Sequence, residues 1–303
     1  MLHSSLPFTG ELIALGVAFL WGVAAIIWTA AGERISAMEL NLTKSVAALG
    51  LVSISILLTR NAFVPIPKLD LFLMLLSGVV GIGLGDVAMF AAFQKIGPTR
   101  TSMIKLLSPL LVSLGAFLSL SEKLAPVDFV GMAVTILGIF LVVSERLPNN
   151  QLTPGQFWAG VGLAFVATLA EVAQVVLSHQ VLVQTQLDPL WGTCLRLAAA
   201  AVFLLLWAAL TRQRIGGWLH LPESGRLIKL VSTGVFLGTF IGLWLQQVAL
   251  KISPAGIAQT FFSSMPLFIL LIQSLMQRHL PSPRALGGVL ISLVGTMLLF
   301  LGG

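Results

Sequence analysis

Apolar residues fill most of the chain in long runs, and polar residues are concentrated in the short intervals between them. Ten runs are long enough to cross a membrane, because a helix rises about 1.5 Å per residue and the hydrocarbon layer is about 30 Å thick. These runs cover 11–30, 36–58, 70–93, 99–120, 126–144, 156–178, 189–210, 226–249, 255–277 and 284–302. The pattern therefore predicts ten membrane-spanning helices.

Turn-forming residues separate the runs, as at Gly97-Pro98, Pro126, Asp188-Pro189 and Ser253-Pro254. Such residues end helices because proline lacks an N–H and glycine tolerates non-helical backbone. The longest intervals, 61–69 and 211–225, leave no room for a catalytic domain outside the membrane. The first run is longer than the apolar core of a signal peptide and predicts a retained helix.

The composition agrees with a membrane protein. Of the 303 residues, 57% are hydrophobic and 9% charged, whereas a soluble domain carries about 25% charged residues. The formal net charge is +6, but the basic residues are scattered singly, which argues against nucleic-acid binding and is typical of membrane loops. Cys194 is the only cysteine, so neither an intrachain disulfide nor a thiolate metal cluster can form.

The second half repeats the first at an offset of about 150 residues, the kind of internal similarity that marks a duplication. The matches are Gly16-Val-Ala-Phe19 with Gly162-Leu-Ala-Phe165, Lys44 and Thr59-Arg60 with Arg196 and Thr211-Arg212, Lys95-Ile-Gly-Pro98 with Lys251-Ile-Ser-Pro254, and Pro109, Pro126, Gly131 and Gly138 with Pro266, Pro283, Gly288 and Gly295. We expect two repeats, 1–148 and 149–303. Five helices in each would give them opposite orientations, with a binding cavity between them near the midplane.

Five ionisable residues lie inside the apolar runs: Lys44, Asp86, Lys105, Glu171 and Arg196. Because a charge in the membrane interior costs at least about 2.5–3.5 kcal/mol, such residues are candidates for substrate binding or ion coupling. The two carboxylates could load and release protons as access alternates. Permanent ion pairs with the cations are the alternative for both, and Lys44 and Arg196 could also extend to the interface.

Neutral polar and aromatic residues extend the set of candidate site residues. Trp21 and Trp244 lie inside runs, and Trp21 precedes Gly22, where a substrate could approach the backbone. Ser108 and Gln246 offer hydrogen-bonding groups to a polar substrate, although bonding between helices is the commoner use of such groups. Gly81-Ile-Gly-Leu-Gly85 lacks the strand and spacing of a nucleotide-binding loop, so we expect close helix packing there.

Prolines and glycines mark candidate hinges. Pro109 and Pro266 lie inside the fourth and ninth runs, and Gly97-Pro98 and Pro254 lie between runs. An internal proline frees a carbonyl group that protein or cavity water must satisfy, as near the binding sites of transporters. A simple kink is the alternative.

No constellation of catalytic residues is present. His3, His179, His220 and His279 lie at ends or in loops without metal-ligand spacing. No grouping of Ser, His and Asp or of Cys and His can be argued, so we expect no enzyme activity and no metal.

The chain resembles the EamA-like branch of the drug/metabolite transporter superfamily, whose members are ten-helix carriers made of two repeats. The residues that carry the resemblance are Trp21-Gly22, Lys44 and Arg196, Gly97-Pro98, Ser108-Pro109, Glu122 with Pro126, and Gly131 with Gly138. The second half departs from the pattern, since the position of Glu122 falls near His279 and Ala167-Thr168 replaces Trp-Gly. The absence of tyrosine weakens any analogy with carriers that have tyrosine-lined pockets.

The resemblance implies a multi-pass secondary transporter of the bacterial inner membrane that exports a small metabolite, such as an amino acid, or a drug, without a cofactor. It also implies a structural and gating role for Glu122 and places both termini in the cytoplasm. The loop charges disagree, with about ten Lys and Arg on the side opposite the termini and about four on the termini side.

We therefore expect an all-α carrier whose partners are a small-molecule solute, protons and the lipid bilayer, with no nucleic acid. A multidrug or cation exporter, a solute exchanger and a membrane receptor that transports nothing are the alternatives. The sequence does not determine the oligomeric state.

Overall fold

A computed structural model describes residues 9–111, 126–143, 153–213, 215–253, 255–278 and 281–301, and these residues fold as helices joined by short turns. The α-helices are α1 (Thr9–Ala31), α2 (Ala37–Thr59), α3 (Lys68–Ser77), α4 (Asp86–Ile104), α5 (Pro126–Val143), α6 (Pro154–Gln184), α7 (Pro189–Thr211), α8 (Ser224–Gly234), α9 (Gly242–Ile252), α10 (Ala255–Phe262), α11 (Met265–Gln277) and α12 (Pro283–Leu301). The described part of the chain contains no β-strand.

Within the described residues, seven helical stretches are long and apolar enough to cross a membrane, and two shorter apolar helices, Ala133–Val142 and Pro283–Leu298, accompany them. One stretch, Lys68–Leu111, contains the third predicted span and the beginning of the fourth. The prediction of a helical, multi-pass membrane protein is confirmed. The count of ten spans stays a prediction, since 112–125 lies outside the described residues.

Two segments wind as π-helix, which bonds each N–H five residues back and is typical of functional sites. The first π segment is Gly78–Gly85, between α3 and α4, and the second is Val235–Ile241, between α8 and α9. Asn41 on α2 is fully buried and donates its side-chain amide to the carbonyls of Ile82 and Gly83, at 2.6 and 3.1 Å. These two hydrogen bonds stabilise the irregular backbone inside the membrane.

Glycines let the π segments touch neighbouring helices at backbone distance. A Cβ atom at Gly78 would overlap the backbone of Arg196 on α7, and one at Gly81 would overlap Gln174 on α6. In the second π segment, a Cβ at Gly238 would overlap Ala24 on α1. The close packing expected of Gly81 and its neighbours is present, and it extends to the second half.

Helices of each half pack on helices of the other half, an exchange of partners between the halves. The first helix of each half packs on the third helical stretch of the other: α1 contacts α8 and α9, and α6 contacts α3 and α4. In addition, α2 packs on α7, and α5 packs on α12. The large core clusters accordingly draw residues from both halves, so the two halves enclose a common interior.

Three breaks interrupt the helices that line this interior. Gly97 has φ 79° and ψ 166°, so the chain changes direction there and Pro98 follows in a helical turn. Pro109 cannot donate to the carbonyl of Lys105, and Lys105–Leu107 winds as a 3₁₀ turn instead. Pro266 is the second residue of α11, which a turn at Ser263 and Ser264 separates from α10. Two predicted hinge residues, Glu122 and Pro254, lie outside the described residues.

Candidate functional site

A central chamber of about 700 Å³ lies among the helices of both halves. Its wall is mostly apolar and aromatic, with six polar or charged side chains that could orient a ligand: Lys44, Asp86, Lys105, Glu171, Gln174 and Thr239. The remaining lining includes Trp21, Ala24, Trp28, Ile82, Met89, Phe90, Phe93, Ala167, Leu243 and Met265. An apolar cavity with a few convergent polar groups is the usual form of a small-molecule site.

The first ion pair of the chamber joins α2 to the beginning of α4. Lys44 Nζ donates to Asp86 Oδ2 at 2.6 Å, and the two side chains are 4% and 23% exposed. The ammonium also lies 5.4 Å from the centre of the Phe90 ring, which adds a cation–π interaction. Asp86 further contributes a favourable Coulomb interaction with Arg196. Lys44 is therefore the direct partner of Asp86, and Arg196 is a more distant cation.

The second ion pair joins the 3₁₀ turn before Pro109 to the middle of α6. Lys105 Nζ lies 2.8 Å from Glu171 Oε2, and the side chains are 18% and 9% exposed. The angle at this contact does not suit a hydrogen bond, so Oε2 has no hydrogen-bond donor among the described residues. Oε1 accepts from the amide of Gln259 on α10 at 3.1 Å. Lys105 Nζ also lies 3.7 Å from the Met89 sulfur.

Arg196 lies beside the chamber and does not line it. It is 1% exposed and donates to the side-chain oxygens of Gln174 and, at 3.5 Å, of Gln246. No carboxylate of the described residues lies within 4.0 Å of it. The position equivalent to Lys44 in the second half thus links α7 to α6 and α9 through neutral amides.

The two candidate tryptophans lie at different places relative to the chamber. Trp21 lines the chamber, donates its Nε1 hydrogen to the Gly238 carbonyl at 3.1 Å, and packs on Phe262 with ring centres 5.5 Å apart. Trp244 lines neither this chamber nor the smaller cavity described below, and it is 37% exposed. The structure therefore brings Trp21 to the candidate site and places Trp244 outside it.

Two further candidates are buried away from the chamber. Ser108 is fully buried, and its hydroxyl has no hydrogen-bond partner among the described residues. Gln246 is fully buried against Arg196. Neither residue lines the chamber or the smaller cavity described below.

A smaller side cavity of about 270 Å³ adjoins the chamber. Its lining consists of Trp21, Ser102, Lys105, Leu106, Glu171, Gln259, Phe262, Ser263, Met265 and Pro266. The Lys105–Glu171 pair therefore borders both cavities. No group of three or more His, Cys, Asp or Glu residues is placed to hold a metal ion in the described ranges.

Sequence reasoning missed several residues of this site. Asn41 supports the first π segment, and Met89 and Met265 line the chamber. The isolated asparagine inside a long apolar run was the available signal for Asn41, because a buried amide must find backbone or side-chain partners. The methionines carry no signal of this kind, since methionine is common in any apolar helix.

Charged side chains around a cavity enclosed by membrane-spanning helices define a helical membrane protein with an internal polar site. A sequence model of the EamA-like transporter family matches residues 8–144 and again residues 158–301. The chain belongs to this family of membrane transporters within the drug/metabolite transporter superfamily.

Solved structures share the fold. Twenty-nine chains of solved structures match, and one of them, described only as the crystal structure of a protein, superposes with a TM-score of 0.67. That chain is 16% identical, and the match covers 97% of this chain and 96% of that one. At this identity the likeness speaks for the fold alone. No curated protein matches the chain in sequence.

Proposed function

We propose that this protein is a secondary active carrier that exports a small zwitterionic solute, such as an amino acid, across the inner membrane in exchange for protons. The observation that carries the proposal is the presence of two separate lysine–carboxylate pairs on the wall of one largely apolar chamber. A zwitterion needs a cation for its carboxylate and an anion for its ammonium group. Each pair offers both.

The Lys105–Glu171 pair is the better solute site of the two. It is held by one 2.8 Å contact, and the charges of the solute itself would replace this contact when the solute enters between the two side chains. The solute carboxylate would then pair with Lys105 and its ammonium group with Glu171. One buried ion pair is thereby replaced by two. Neither protein charge is left unpaired in the membrane, where an unpaired charge would cost several kcal/mol.

Protons and solute compete in this arrangement. A protonated Glu171 is neutral and holds an ammonium group poorly, whereas an ionised Glu171 holds it well. A proton arriving from outside therefore expels the solute, and loss of that proton to the cytoplasm restores the site. Antiport requires this mutual exclusion, because the carrier then changes its orientation with either the solute or the proton bound.

Alternating access requires two states of similar energy, and an inverted repeat supplies them. We infer that the chain has ten membrane helices in two inverted repeats, 1–148 and 149–303. Three observations support this inference: the exchange of partners between the halves, the π segment in the third helical stretch of each half, and the left-handed residues Arg60 and Arg212 that end the matching helices α2 and α7.

Flux measurements in proteoliposomes test the proposal. Purified protein is reconstituted, a pH gradient is imposed, and uptake of a mixture of radiolabelled neutral amino acids is followed. We expect uptake that follows the pH gradient, and Glu171→Gln should reduce the driven component at least about a hundredfold, as expected for loss of a positioned proton-transfer group. Glu223→Gln is the matched control, because Glu223 forms an exposed ion pair with Arg34, at 3.2 Å, that is not part of the chamber lining.

Other outcomes would replace the proposal. Uptake that ignores the pH gradient but accelerates with amino acid on the far side would establish an exchanger. Movement of organic cations in place of amino acids would establish a cation exporter. If none of these solutes moves while the protein remains folded, the transport proposal is wrong and a receptor role gains support.

A further inference from the structure

The central chamber and the side cavity share part of their lining. Four residues line both: Trp21, Lys105, Glu171 and Met265. Glu171, whose carboxyl group is proposed to exchange protons, therefore borders both cavities. This position matters because two ligands that compete for one carboxyl still need routes by which to reach it.

The lining of the side cavity suits water and protons better than an organic solute. Ser102, Ser263 and Gln259 supply hydrogen-bonding groups, and both proline-induced breaks, at Lys105–Leu107 and before Pro266, border it. Its volume is about 270 Å³ against about 700 Å³ for the chamber. The space in it that a water molecule can occupy is about 10 Å³, the size of a single water site, so the side cavity can hold about one ordered water.

The hydrogen bonds of Glu171 point to the same route. Its Oε1 accepts from Gln259, a residue that lines the side cavity only. The Oε1 atom of Gln259 is itself buried with no partner among the described residues. A buried amide oxygen without a donor, beside a polar cavity, is a place where an ordered water binds. That water would lie one side chain from the carboxyl group.

We propose that the side cavity is a separate aqueous route for protons to Glu171, while the solute reaches the same residue from the central chamber. The inference rests on the proposed function, since it assumes that a solute occupies the chamber. Gln259 positions the carboxyl towards the route, and the hydroxyls of Ser102 and Ser263 line it. Trp21 and Met265 keep the solute out of it.

The charges around Glu171 are compatible with this assignment. Lys105 is its direct partner, and Lys44 and Asp86 share the chamber wall. Arg196 on α7 reaches its vicinity through Gln174. The other charged residues on the elements packed against α6 are Lys68 and Asp70 at the beginning of α3, Lys95 and Arg100 on α4, and Lys251, which donates to the Leu187 carbonyl beyond the end of α6. Lys105 is the only one of these groups that borders the side cavity.

Cysteine accessibility tests the inference, and the single native cysteine makes the experiment clean. In a Cys194→Ser background, Ser263→Cys probes the side cavity and Ala24→Cys probes the chamber. The proteoliposomes are treated with 2-aminoethyl methanethiosulfonate, with or without an excess of neutral amino acids. We expect both cysteines to react, and the amino acids to protect Ala24→Cys but not Ser263→Cys.

Two transport modes separate the proton route from the solute route. In modified Ser263→Cys, pH-gradient-driven uptake should fall at least about tenfold, because a proton-transfer path is blocked. Amino-acid counterflow at equal pH should stay within about twofold of the unmodified protein, a change below about 0.5 kcal/mol. Equal loss of both modes, equal protection of both cysteines, or no effect on driven uptake would overturn the inference. Ser102→Cys replaces Ser263→Cys if that variant does not fold.

The failure of the proposed function gives a different result. If neither the wild type nor the Cys194→Ser protein shows any amino-acid counterflow, the proposed amino-acid carrier function is wrong. If counterflow is normal and only the pattern of protection and block differs, the carrier assignment stands and the separate proton route is rejected.

Discussion

Lys105 and Glu171 form an ion pair of 2.8 Å on the boundary between two cavities, and a proline places the lysine there. Pro109 removes one helical hydrogen bond, and the turn before it winds more tightly as 3₁₀ helix. Lys105 begins this turn, and its side chain reaches α6 from there. A backbone irregularity and a buried charge thus form one feature, which helix propensities alone do not reveal.

Replacing Lys44 with methionine should destabilise the protein by about 2–3 kcal/mol, because Asp86 would keep a charge in the membrane without its closest partner. The double variant Lys44→Met with Asp86→Asn should lose less than the sum of the single losses, with a coupling energy of about 0.5–3 kcal/mol. Unfolding of purified protein in mild detergent measures these values. Strictly additive losses would show that the 2.6 Å contact contributes nothing.

Gly78→Ala should destabilise the protein by about 1–3 kcal/mol, because the added methyl group meets the backbone of Arg196 and backbone cannot move aside as a side chain can. Gly162→Ala on α6 is the matched control. A Cβ there meets no atom within 4 Å, so it should be neutral or should stabilise the helix by up to about 1 kcal/mol. Thermal unfolding of both variants in the same detergent compares them. Equal stability would mean that the first π segment does not pack on α7 as described.

Trp21→Phe should raise the amino-acid concentration for half-maximal flux about fivefold. The change removes the hydrogen bond to Gly238, which contributes about 1 kcal/mol to the position of a chamber wall. Trp244→Phe should leave that concentration unchanged, because Trp244 lies outside the chamber. Saturation curves of counterflow in proteoliposomes measure both variants. The same shift in both would remove Trp21 from the site.

The sequence was sufficient to predict the class of protein and most positions of its helices, because hydrophobic runs and turn residues are local signals. It also placed Lys44, Asp86, Lys105, Glu171 and Trp21 among the candidates, since buried ionisable and aromatic residues are conspicuous in an apolar chain. The sequence could not predict which of these residues form ion pairs with each other. Lys105 and Glu171 are far apart in sequence, and only the packing of α6 against the broken α4 brings them together.

The same reason explains what the sequence left open. The sequence offered two interpretations of Pro109 and Pro266, a simple kink and a cavity. Both prolines lie at helix breaks. Residues of the break before Pro109 line the side cavity, and Pro266 is itself part of that lining. It predicted close packing at Gly81-Ile-Gly-Leu-Gly85 but could not predict π winding, which depends on Asn41 from another helix. Trp244 and Trp21 look alike in sequence, and only their orientations in the bundle distinguish them.

The central claim is that a solute and a proton compete for Glu171, and release of protons on solute binding tests it most directly. Purified protein in weakly buffered detergent is mixed with neutral amino acids over a series of pH values, and a pH-indicator dye records the change. The account predicts release of up to about one proton per bound solute, because the two ligands compete for one carboxyl. Glu223→Gln should release protons as the wild type does, and Glu171→Gln should bind solute weakly and release none. Equal proton release from Glu171→Gln, or solute binding by the wild type without release at any pH, would contradict the account.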